Sequence, residues 1–399
     1  MITDETLLSL AGKYGTPIYV IDESELDKKQ KEFSDAFSIL PIPVRIAYPF
    51  KVNSINEVLE YMYKCGRWAE VASDLELNLA LAGGFNPTNI ILNAPHKPIA
   101  LLKHAIDVGC KIHIDNESEL IMLVNLIDEI KLTQNIDIGL RISTLGDSLW
   151  SRFGFKDEEY TNAINIIKRN NKLRLVGLHT HRSSINNLEE YKHHIEQIFS
   201  LTSVIADKYG INLDYIDIGS GFAIDWPKPL GNLNWSAPTL DEYVQIVYEA
   251  YHKWKPRIRQ LIIEPGRKSV ASAACFITKI VSIKKRGTIR YLISDGALNF
   301  IPGAEIYKYR ISRVATGQFK QSSEEIGFDN VLCGCLCDSL DVLDTSIHIQ
   351  NLEVDQLLRI DDVGGYDIAR SFVWQLPYPT VIWISNEVAR IVQPKNLIR

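Results

Sequence analysis

The sequence has only six cysteines in 399 residues, and no apolar run is long enough to cross a membrane. So few cysteines are typical of a reducing compartment rather than of a disulfide-rich secreted protein. The N-terminal stretch MITDETLLSLAGKYGTP carries acidic residues where a secretory signal would need cations. We therefore expect a cytoplasmic protein that does not bind membranes.

The sequence also lacks a basic stripe, because its lysines and arginines are scattered and the net charge is -6. This argues against a general nucleic-acid binder. Hydrophobic residues make up 46% of the chain and charged residues 23%. That composition is typical of a globular protein without disorder.

Three of the cysteines form the segment Cys333-Gly334-Cys335-Leu336-Cys337. Zinc sites usually pair two Cys-x-x-Cys motifs, and the sequence has no second pair. Alternate positions on a strand share one face, so we interpret these cysteines as small buried residues. We expect no metal.

From about residue 44 the sequence alternates between short β-rich runs and amphipathic helical stretches. Runs of this kind are expected for parallel strands that are buried on both faces. The eight candidate strands are VRIAYPFK, RWAEVAS, NIILNAP, KIHIDN, IDIGLRIS, RLVGLHTH, DYIDIGS and QLIIEPGR. They predict an α/β fold with a (β/α)8 TIM barrel. The rival, a doubly wound sheet, lacks support because no Gly-x-Gly-x-x-Gly follows the first strand.

One intervening helix, SINEVLEYMYKCG, has Ser54 as a candidate N-cap and Gly66 as its stop. After Arg267 the sequence becomes β-rich with few long helical patterns. The early run TPIYVIDES reads as a strand that could join this second domain in space. We predict a barrel over residues 30–272 and a mostly-β domain from residues 1–29 and 273–399.

The carboxyl ends of barrel strands form the catalytic face of this fold. Those ends carry chemically unusual residues: Lys51, Glu70 with Ser73, His96, Asp115, Arg141, His179 with His181, Asp217 with Gly219 to Gly221, and Glu264 with Arg267. A lone strand-end lysine is usually a solvated surface residue. Lys51 becomes a candidate for chemistry because of the residues that share this rim.

These residue types fit one cofactor. A lysine in an apolar mouth can form an imine with an aldehyde, and the turn DIGSGF can present backbone N–H groups to a phosphate. Glu264 could keep a ring nitrogen protonated, Arg267 could bind an anion, and a histidine could stack on a flat ring. Together they describe a pyridoxal phosphate site.

The order of these motifs resembles the fold-type III pyridoxal-phosphate decarboxylases, the family of diaminopimelate and ornithine decarboxylases, over nearly the full chain. AYPFKVNS resembles the family's A-Y-A-x-K-A-N strand, GLHTHRSS resembles G-L-H-x-H-I-G-S, SRFGF resembles S-K-F-G-[IF], and DIGSGF resembles D-I-G-G-G-F. EPGR is identical to the family motif.

The resemblance implies a role for each matched position. Lys51 would be the catalytic Schiff-base lysine, and His181 would stack on the cofactor ring. Glu264 would contact the pyridine nitrogen, and Arg267 the phosphate or the substrate. The phosphate would be bound by Ser184, Gly219, Ser220, Gly221 and Tyr366.

In the β domain, CDSLD resembles the family's C-E-S-G-D and C-D-G-L-D segments. The resemblance implies that Cys337 is the acid that reprotonates the product and that Asp338 contacts the substrate. In the family this segment reaches the active site of the other subunit, so a homodimer with shared sites is implied.

The chain departs from the family on the substrate side. Gly303 stands where diaminopimelate decarboxylases carry an arginine that grips the distal carboxylate, although the substrate-contacting Tyr307 remains. RSFVWQLPYP replaces the family's S-x-Y-N-x-x-x-R-P tail. Arg182 and Ser183 replace the usual Ile-Gly after the stacking histidine.

The sequence therefore predicts pyridoxal-phosphate-dependent decarboxylation of an amino acid or amino-acid conjugate. Asp338 suggests a substrate with a distal amine, from amino-acid, polyamine or secondary metabolism. A racemase or another reaction on the same scaffold is the alternative, because cofactor motifs do not choose the bond that breaks. A non-catalytic homologue is the third reading, and the presence of Lys51 and Cys337 argues against it.

Overall fold

The computed structural model describes residues 2–131, 133–144, 152–315, 329–349 and 351–395. The helices in these ranges are α1 Asp4–Tyr14, α2 Glu23–Phe37, α3 Asn56–Lys64, α4 Asp74–Ala82, α5 Ile99–Val108, α6 Glu117–Glu129, α7 Asp157–Arg169, α8 Leu188–Tyr209, α9 Leu240–Trp254, α10 Arg267–Val270 and α11 Asp367–Arg370. None of them has the length and apolar character that a membrane crossing requires.

The strands of the described residues are, in chain order, β1 Ile18–Asp22, β2 Val44–Pro49, β3 Trp68–Val71, β4 Ile90–Asn93, β5 Lys111–Ile114, β6 Ile136–Arg141, β7 Leu173–His179, β8 Tyr215–Asp217, β9 Lys228–Pro229, β10 Gln260–Ile263, β11 Ala274–Arg286, β12 Ile289–Ser294, β13 Tyr307–Lys308, β14 Ile311–Arg313, β15 Asp329–Cys333, β16 Val342–Ile347, β17 Leu357–Asp361, β18 Thr380–Ser385 and β19 Val388–Gln393.

The chain divides into two compact units. One contains residues 32–223 and 237–266, and the other contains residues 1–31, 224–236 and 267–399. The domain limits predicted above, 30–272 for the barrel, stay a prediction.

The first unit is a closed barrel of eight parallel strands in the order β10-β2-β3-β4-β5-β6-β7-β8. Seven of the eight strands lie within the predicted runs, and β7 begins at Leu173, one residue before the run RLVGLHTH. The predicted TIM barrel is therefore confirmed. Most strand residues are buried, because a parallel barrel is covered by its own side chains inside and by helices outside.

The second unit is built on a nine-stranded sheet with the path β16-β15-β12-β11-β1-β18-β19, and β17 pairs with β11 and β14. The N-terminal strand β1 pairs antiparallel with β11 and parallel with β18. The prediction that this strand joins the mostly-β domain is confirmed. Its five residues are all buried.

One predicted helix start is wrong. The N-cap of α3 is Ile55 rather than Ser54, because the side chain of Asn53 accepts a hydrogen bond from the Ile55 N–H at 3.2 Å. The side chain of Asn53 therefore satisfies a backbone N–H at the start of the helix, which is the role that an N-capping serine would have. Gly66 follows α3 with φ +68°, as expected for a glycine stop.

A buried ion pair joins the barrel's β4–α5 connection to α6. Lys97 is 1% exposed, and its Nζ lies 2.8 Å from Glu119 Oε1 and donates to the Ala94 carbonyl oxygen at 2.7 Å. Burial lowers the pKa of Lys97, and Glu119 opposes that shift. The other oxygen of Glu119 accepts the Asp115 N–H at 2.8 Å. Both charges therefore depend on their partners.

We predict that Lys97→Ala lowers the free energy of unfolding by about 3–5 kcal/mol, because it leaves Glu119 charged and buried without its partner. Lys64→Ala is the control, since it removes an exposed pair with Glu60 and should cost less than about 1 kcal/mol. Urea denaturation followed by circular dichroism measures both. Equal small losses would contradict the prediction.

Candidate active site

A cavity of about 650 Å³ opens at the carboxyl ends of the barrel strands. Lys51, Glu70, His181 and Glu264 line it, and so do Arg182 and Ser183, two of the departures from the family pattern. Closure of the barrel brings these side chains together, although more than two hundred residues separate the first from the last.

Lys51 lies on a short 3-10 turn, Phe50–Val52, directly after β2. Its neighbours Phe50 and Val52 are buried, so they fix the turn while the lysine side chain stays partly exposed. Lys51 Nζ forms an ion pair with Glu70 Oε2 at the end of the adjacent strand. Burial raises the pKa of Glu70 to about 7, although Lys51 acts to lower it.

Glu264 follows β10 and is 2% exposed. Burial acts to raise its pKa, but His179, Lys51 and His181 together outweigh burial and lower the pKa. Oε2 lies 3.7 Å from His179 Nε2. Oε1 is buried and accepts no hydrogen bond from any described residue. A buried carboxylate in this state suits a ligand that presents an N–H donor.

His181 is held in one tautomer. Its Nδ1 accepts the Ser220 N–H at 3.3 Å, which leaves the proton on Nε2. Burial lowers the pKa of His181 to about 3. A neutral imidazole at neutral pH can cover a flat ring but cannot supply a positive charge to it.

The turn after β8 requires small residues. Gly219 has φ +61° and Gly221 has φ +110°, which are conformations that favour glycine. A Cβ on Gly219 would lie 2.5 Å from the Thr180 carbonyl oxygen and 2.9 Å from His181 Nδ1. The N–H groups of Gly219 and Ser220 already donate to Asp217 Oδ1 and His181 Nδ1. Their predicted role as phosphate donors therefore requires those bonds to be shared, whereas Gly221 has no such competing acceptor among the described residues.

Ser184 adopts a left-handed conformation, φ +33°, and is exposed. It is not among the residues that line the cavity. Its predicted contact with a phosphate stays a prediction. Ser151, the first residue of the predicted SRFGF motif, lies outside the described residues.

In the mostly-β unit, three predicted residues lie together. The guanidinium carbon of Arg267 lies 4.6 Å from the ring centroid of Tyr307 and 5.0 Å from that of Tyr366. Two cation–π contacts hold the side chain in place. Its Nη1 is buried without a hydrogen-bond partner among the described residues, which leaves a donor for an anion.

Gly303 is sterically required in this chain. A Cβ there would lie 2.0 Å from the Tyr309 hydroxyl oxygen and 2.7 Å from Asp367 Oδ1. Tyr309 donates to Asp367 Oδ2 at 2.8 Å, and the Gly303 N–H donates to Oδ1 at 3.0 Å. Burial raises the pKa of Asp367 to about 6. The space beside residue 303 is therefore filled by a tyrosine–aspartate pair.

The interpretation of the three cysteines as buried strand residues is wrong. Strand β15 ends at Cys333, and Cys335 and Cys337 are exposed. The cause is Asp341, whose carboxylate accepts the Leu336 N–H at 2.8 Å and the Leu298 N–H at 2.7 Å. These bonds turn the chain away from the sheet.

The exposed segment also contains the predicted substrate residue Asp338. The Cys337 N–H donates to Gln375 Oε1 at 2.9 Å, and Asp338 Oδ1 accepts the Leu340 N–H at 3.1 Å. Gln375 belongs to the RSFVWQLPYP tail, one of the departures from the family pattern. The altered tail therefore holds the segment that carries Cys337.

The sequence does not reveal a polar layer that the structure shows inside the barrel. His113 and His179 stack with ring centroids 5.0 Å apart and an interplanar angle of 24°. One ligand atom from each of these histidines and from Asp217 lies within 4.8 Å of the other two. An imidazole binds a metal in its ring plane, so two stacked rings do not converge on one ion. The only sequence signal was a histidine inside the apolar strand KIHIDN.

Comparison with known proteins identifies the family. Residues 23–271 match the family model of the pyridoxal-dependent decarboxylases, pyridoxal binding domain. The chain belongs to this family. The protein is therefore a pyridoxal-dependent decarboxylase, a carboxy-lyase. The cavity that Lys51, His181 and Glu264 line is its candidate active site.

Similar proteins cover nearly the whole chain. Diaminopimelate decarboxylase of Bacillus subtilis is 27% identical over 96% of this chain and 90% of its own length. That of Zymomonas mobilis is 22% identical over 100% of this chain and 94% of its own length.

Solved structures share the fold. The diaminopimelate decarboxylase of M. jannaschii, in complex with L-lysine, has a TM-score of 0.88 at 22% identity, over 98% of this chain and 92% of that one. The lysine/ornithine decarboxylase of Vibrio vulnificus, with putrescine, has a TM-score of 0.79 at 20% identity, over 96% of this chain and 98% of that one.

The family's cofactor is pyridoxal phosphate, and the barrel residues fit it. Glu264 Oε1 offers a buried acceptor with no donor among the described residues. The turn at Gly219 leaves no room for a Cβ, as expected where a backbone approaches a phosphate. An amine, a ring-nitrogen acceptor and a flat neutral imidazole line the same cavity.

We predict that Gly219→Ala weakens pyridoxal phosphate binding by at least about 10-fold. A Cβ would clash with Thr180 and displace His181, and the expected loss of affinity corresponds to about one hydrogen bond to a charged group. Absorbance titration of the cofactor-free protein measures this. Gly210→Ala is the control, since its φ is also positive but its Cβ would meet no atom within 4 Å. Equal affinities of the two variants would refute the role of the turn.

Proposed function

We propose that this decarboxylase acts on an amino acid, or an amino-acid conjugate, that carries an amine at its distal end. The observation that carries the proposal is the convergence of Lys51, His181 and Glu264 on one cavity. Relatives over the full length are named diaminopimelate decarboxylase, and one structural neighbour is a lysine/ornithine decarboxylase. Both names denote substrates with a distal amine.

In this proposal the bound cofactor supplies the electron sink that accepts the charge left when CO2 departs. Lys51 would hold the cofactor through its amine, which now pairs with Glu70. Glu264 would accept a hydrogen bond from the protonated ring nitrogen. His181, neutral and fixed by Ser220, excludes water from the face of the ring.

The mostly-β unit would supply the remaining groups. Arg267 keeps a buried N–H donor for the phosphate or the substrate, and Tyr307 and Tyr366 hold it. Cys337 would donate the proton to the product carbon, and Asp338 would bind the distal amine. Exposure of the Cys337 segment supports a contribution to the site of a second subunit, and hence a homodimer.

A cytoplasmic location belongs to the same proposal. All six cysteines are free thiols, as expected in a reducing compartment. Two of them, Cys335 and Cys337, are exposed, where an oxidising compartment would endanger them.

We predict that Lys51→Ala lowers turnover by at least about 100-fold, the scale of a lost acid–base group, and abolishes the cofactor linkage that borohydride traps. Visible absorption and mass spectrometry after reduction measure the linkage. Lys103→Ala, which changes an exposed lysine on α5, should keep both. A trapped cofactor in the Lys51 variant would overturn the assignment.

We predict that lysine, ornithine or a conjugate with a distal amine is used at least about 10-fold better, by kcat/KM, than diaminopimelate. Gly303 supplies no cation for a second carboxylate, and one charge-assisted hydrogen bond is worth about 1.5–3 kcal/mol. Release of CO2 across these amino acids, with the Lys51 variant as blank, is the measurement. A preference for diaminopimelate would disprove the altered pocket.

A further inference from the structure

The layer of the barrel beneath Glu264 is unusually polar. Barrel interiors are usually filled by branched apolar side chains, but here His113, His179, Asn93 and Tyr215 are all buried. Tyr215 and His113 bond through the hydroxyl and Nε2 at 2.9 Å. Asn93 Nδ2 lies 3.2 Å from His179 Nε2.

Two strand glycines make this layer possible. A Cβ on Gly177 would lie 2.1 Å from Tyr215 Cζ, and a Cβ on Gly139 would lie 2.6 Å from His113 Cδ2. Glycine weakens a strand. Glycine at these two positions therefore weakens the strands but leaves room for the rings of Tyr215 and His113.

Asp217 connects this layer to the active site. Its Oδ1 accepts the Gly219 N–H at 2.9 Å, while its Oδ2 is buried without a hydrogen bond to any described residue. Asp217 lies opposite Ile262 in the paired strands β8 and β10, and the Glu264 N–H donates to the Gly219 carbonyl oxygen at 2.6 Å, so the two carboxyl groups are neighbours. Oε1 of Glu264 is equally unsatisfied. Two ionised carboxylates have no donor to offer each other, so a hydrogen bond between these neighbours requires a proton.

The charged groups around this pair do not replace that proton. Lys51 pairs with Glu70, and Arg141 lies 3.5 Å from Asp115. Burial lowers the pKa values of His113 and His179, so neither imidazole carries a positive charge at neutral pH. Two neighbouring carboxyl groups inside a protein do not both ionise, because the two negative charges would repel each other.

We propose that Asp217 is a protonated positioning residue, which donates a hydrogen bond to the Glu264 carboxylate and holds it toward the cofactor ring. Burial and the Glu264 charge both raise the pKa of Asp217, in agreement with this assignment. The proton stays on Asp217 because His179, whose Nε2 lies 3.7 Å from Glu264 Oε2, and the charge of Lys51 both act to keep Glu264 ionised. The consequence for catalysis rests on the proposed role of Glu264, but the protonation itself does not.

Infrared spectroscopy of the cofactor-free protein at pH 8.5 tests the protonation directly. Glu70, with a pKa of about 7, and Asp362 and Asp367, each about 6, are mostly ionised there. We expect a carboxylic-acid carbonyl band that disappears in Asp217→Asn and remains in the control Glu70→Gln. A band that is absent, or unchanged in Asp217→Asn, would overturn the proposal, whether a buried water or an ionised Asp217 is the cause.

Cofactor affinity tests the positioning role. Asp217→Asn keeps a donor toward Glu264 and an acceptor for Gly219, so its affinity for pyridoxal phosphate should stay within about threefold of the wild type. Asp217→Leu removes both and should weaken binding at least about 10-fold. If Asp217→Leu does not fold, Asp217→Asn decides alone, because a 10-fold loss in that variant would show that the aspartate charge is required.

These results distinguish a failure of the proposed function from a failure of the Asp217 proposal. An inactive wild type that shows the infrared band would disprove the proposed function but not the protonation of Asp217. An active decarboxylase without the band would disprove the protonation of Asp217 but not the proposed function.

Discussion

One lysine ammonium pairs with a buried carboxylate and acts electrostatically on a second, and the rest of the active site depends on this charge balance. Lys51 contacts Glu70 directly, and its charge also acts on Glu264. Burial alone would make both glutamates neutral. The two groups nevertheless separate: burial raises the pKa of Glu70 to about 7, whereas His179 and Lys51 outweigh burial at Glu264 and lower its pKa. One glutamate can take up a proton near neutral pH, and the other stays ionised.

This separation explains why the histidines must be neutral. A charged imidazole over the cavity would compete with a protonated ring nitrogen for the Glu264 carboxylate. Burial prevents this at His179 and His181, and the Ser220 N–H fixes the tautomer of His181. The barrel thus supplies one permanent negative charge and surrounds it with dipoles, which cost little reorganisation.

The local sequence pattern predicted the barrel, because strand burial, helix periodicity and strand ends each depend on residues that are close together in the sequence. It predicted the rim residues for the same reason: Lys51 and Glu264 follow apolar runs that end at one face. The local pattern failed where side chains outside the element determine the structure. Asp341 ends the strand at Cys333, and Asn53 shifts the start of a helix. His113 belongs to a polar layer only because closure of the barrel brings it beside His179 and Asp217.

Gly303 is another position at which the sequence alone does not reveal the packing. The sequence shows a glycine where the resemblance to the family implies an arginine, and this alone indicates a lost contact. In the structure the position is occupied by the Tyr309–Asp367 pair, so Gly303 is the residue that this packing requires. Restoring an arginine would need the tyrosine and the aspartate to change as well, since a Cβ already clashes with both. The three residues therefore form one packed unit, and Gly303 is part of that packing.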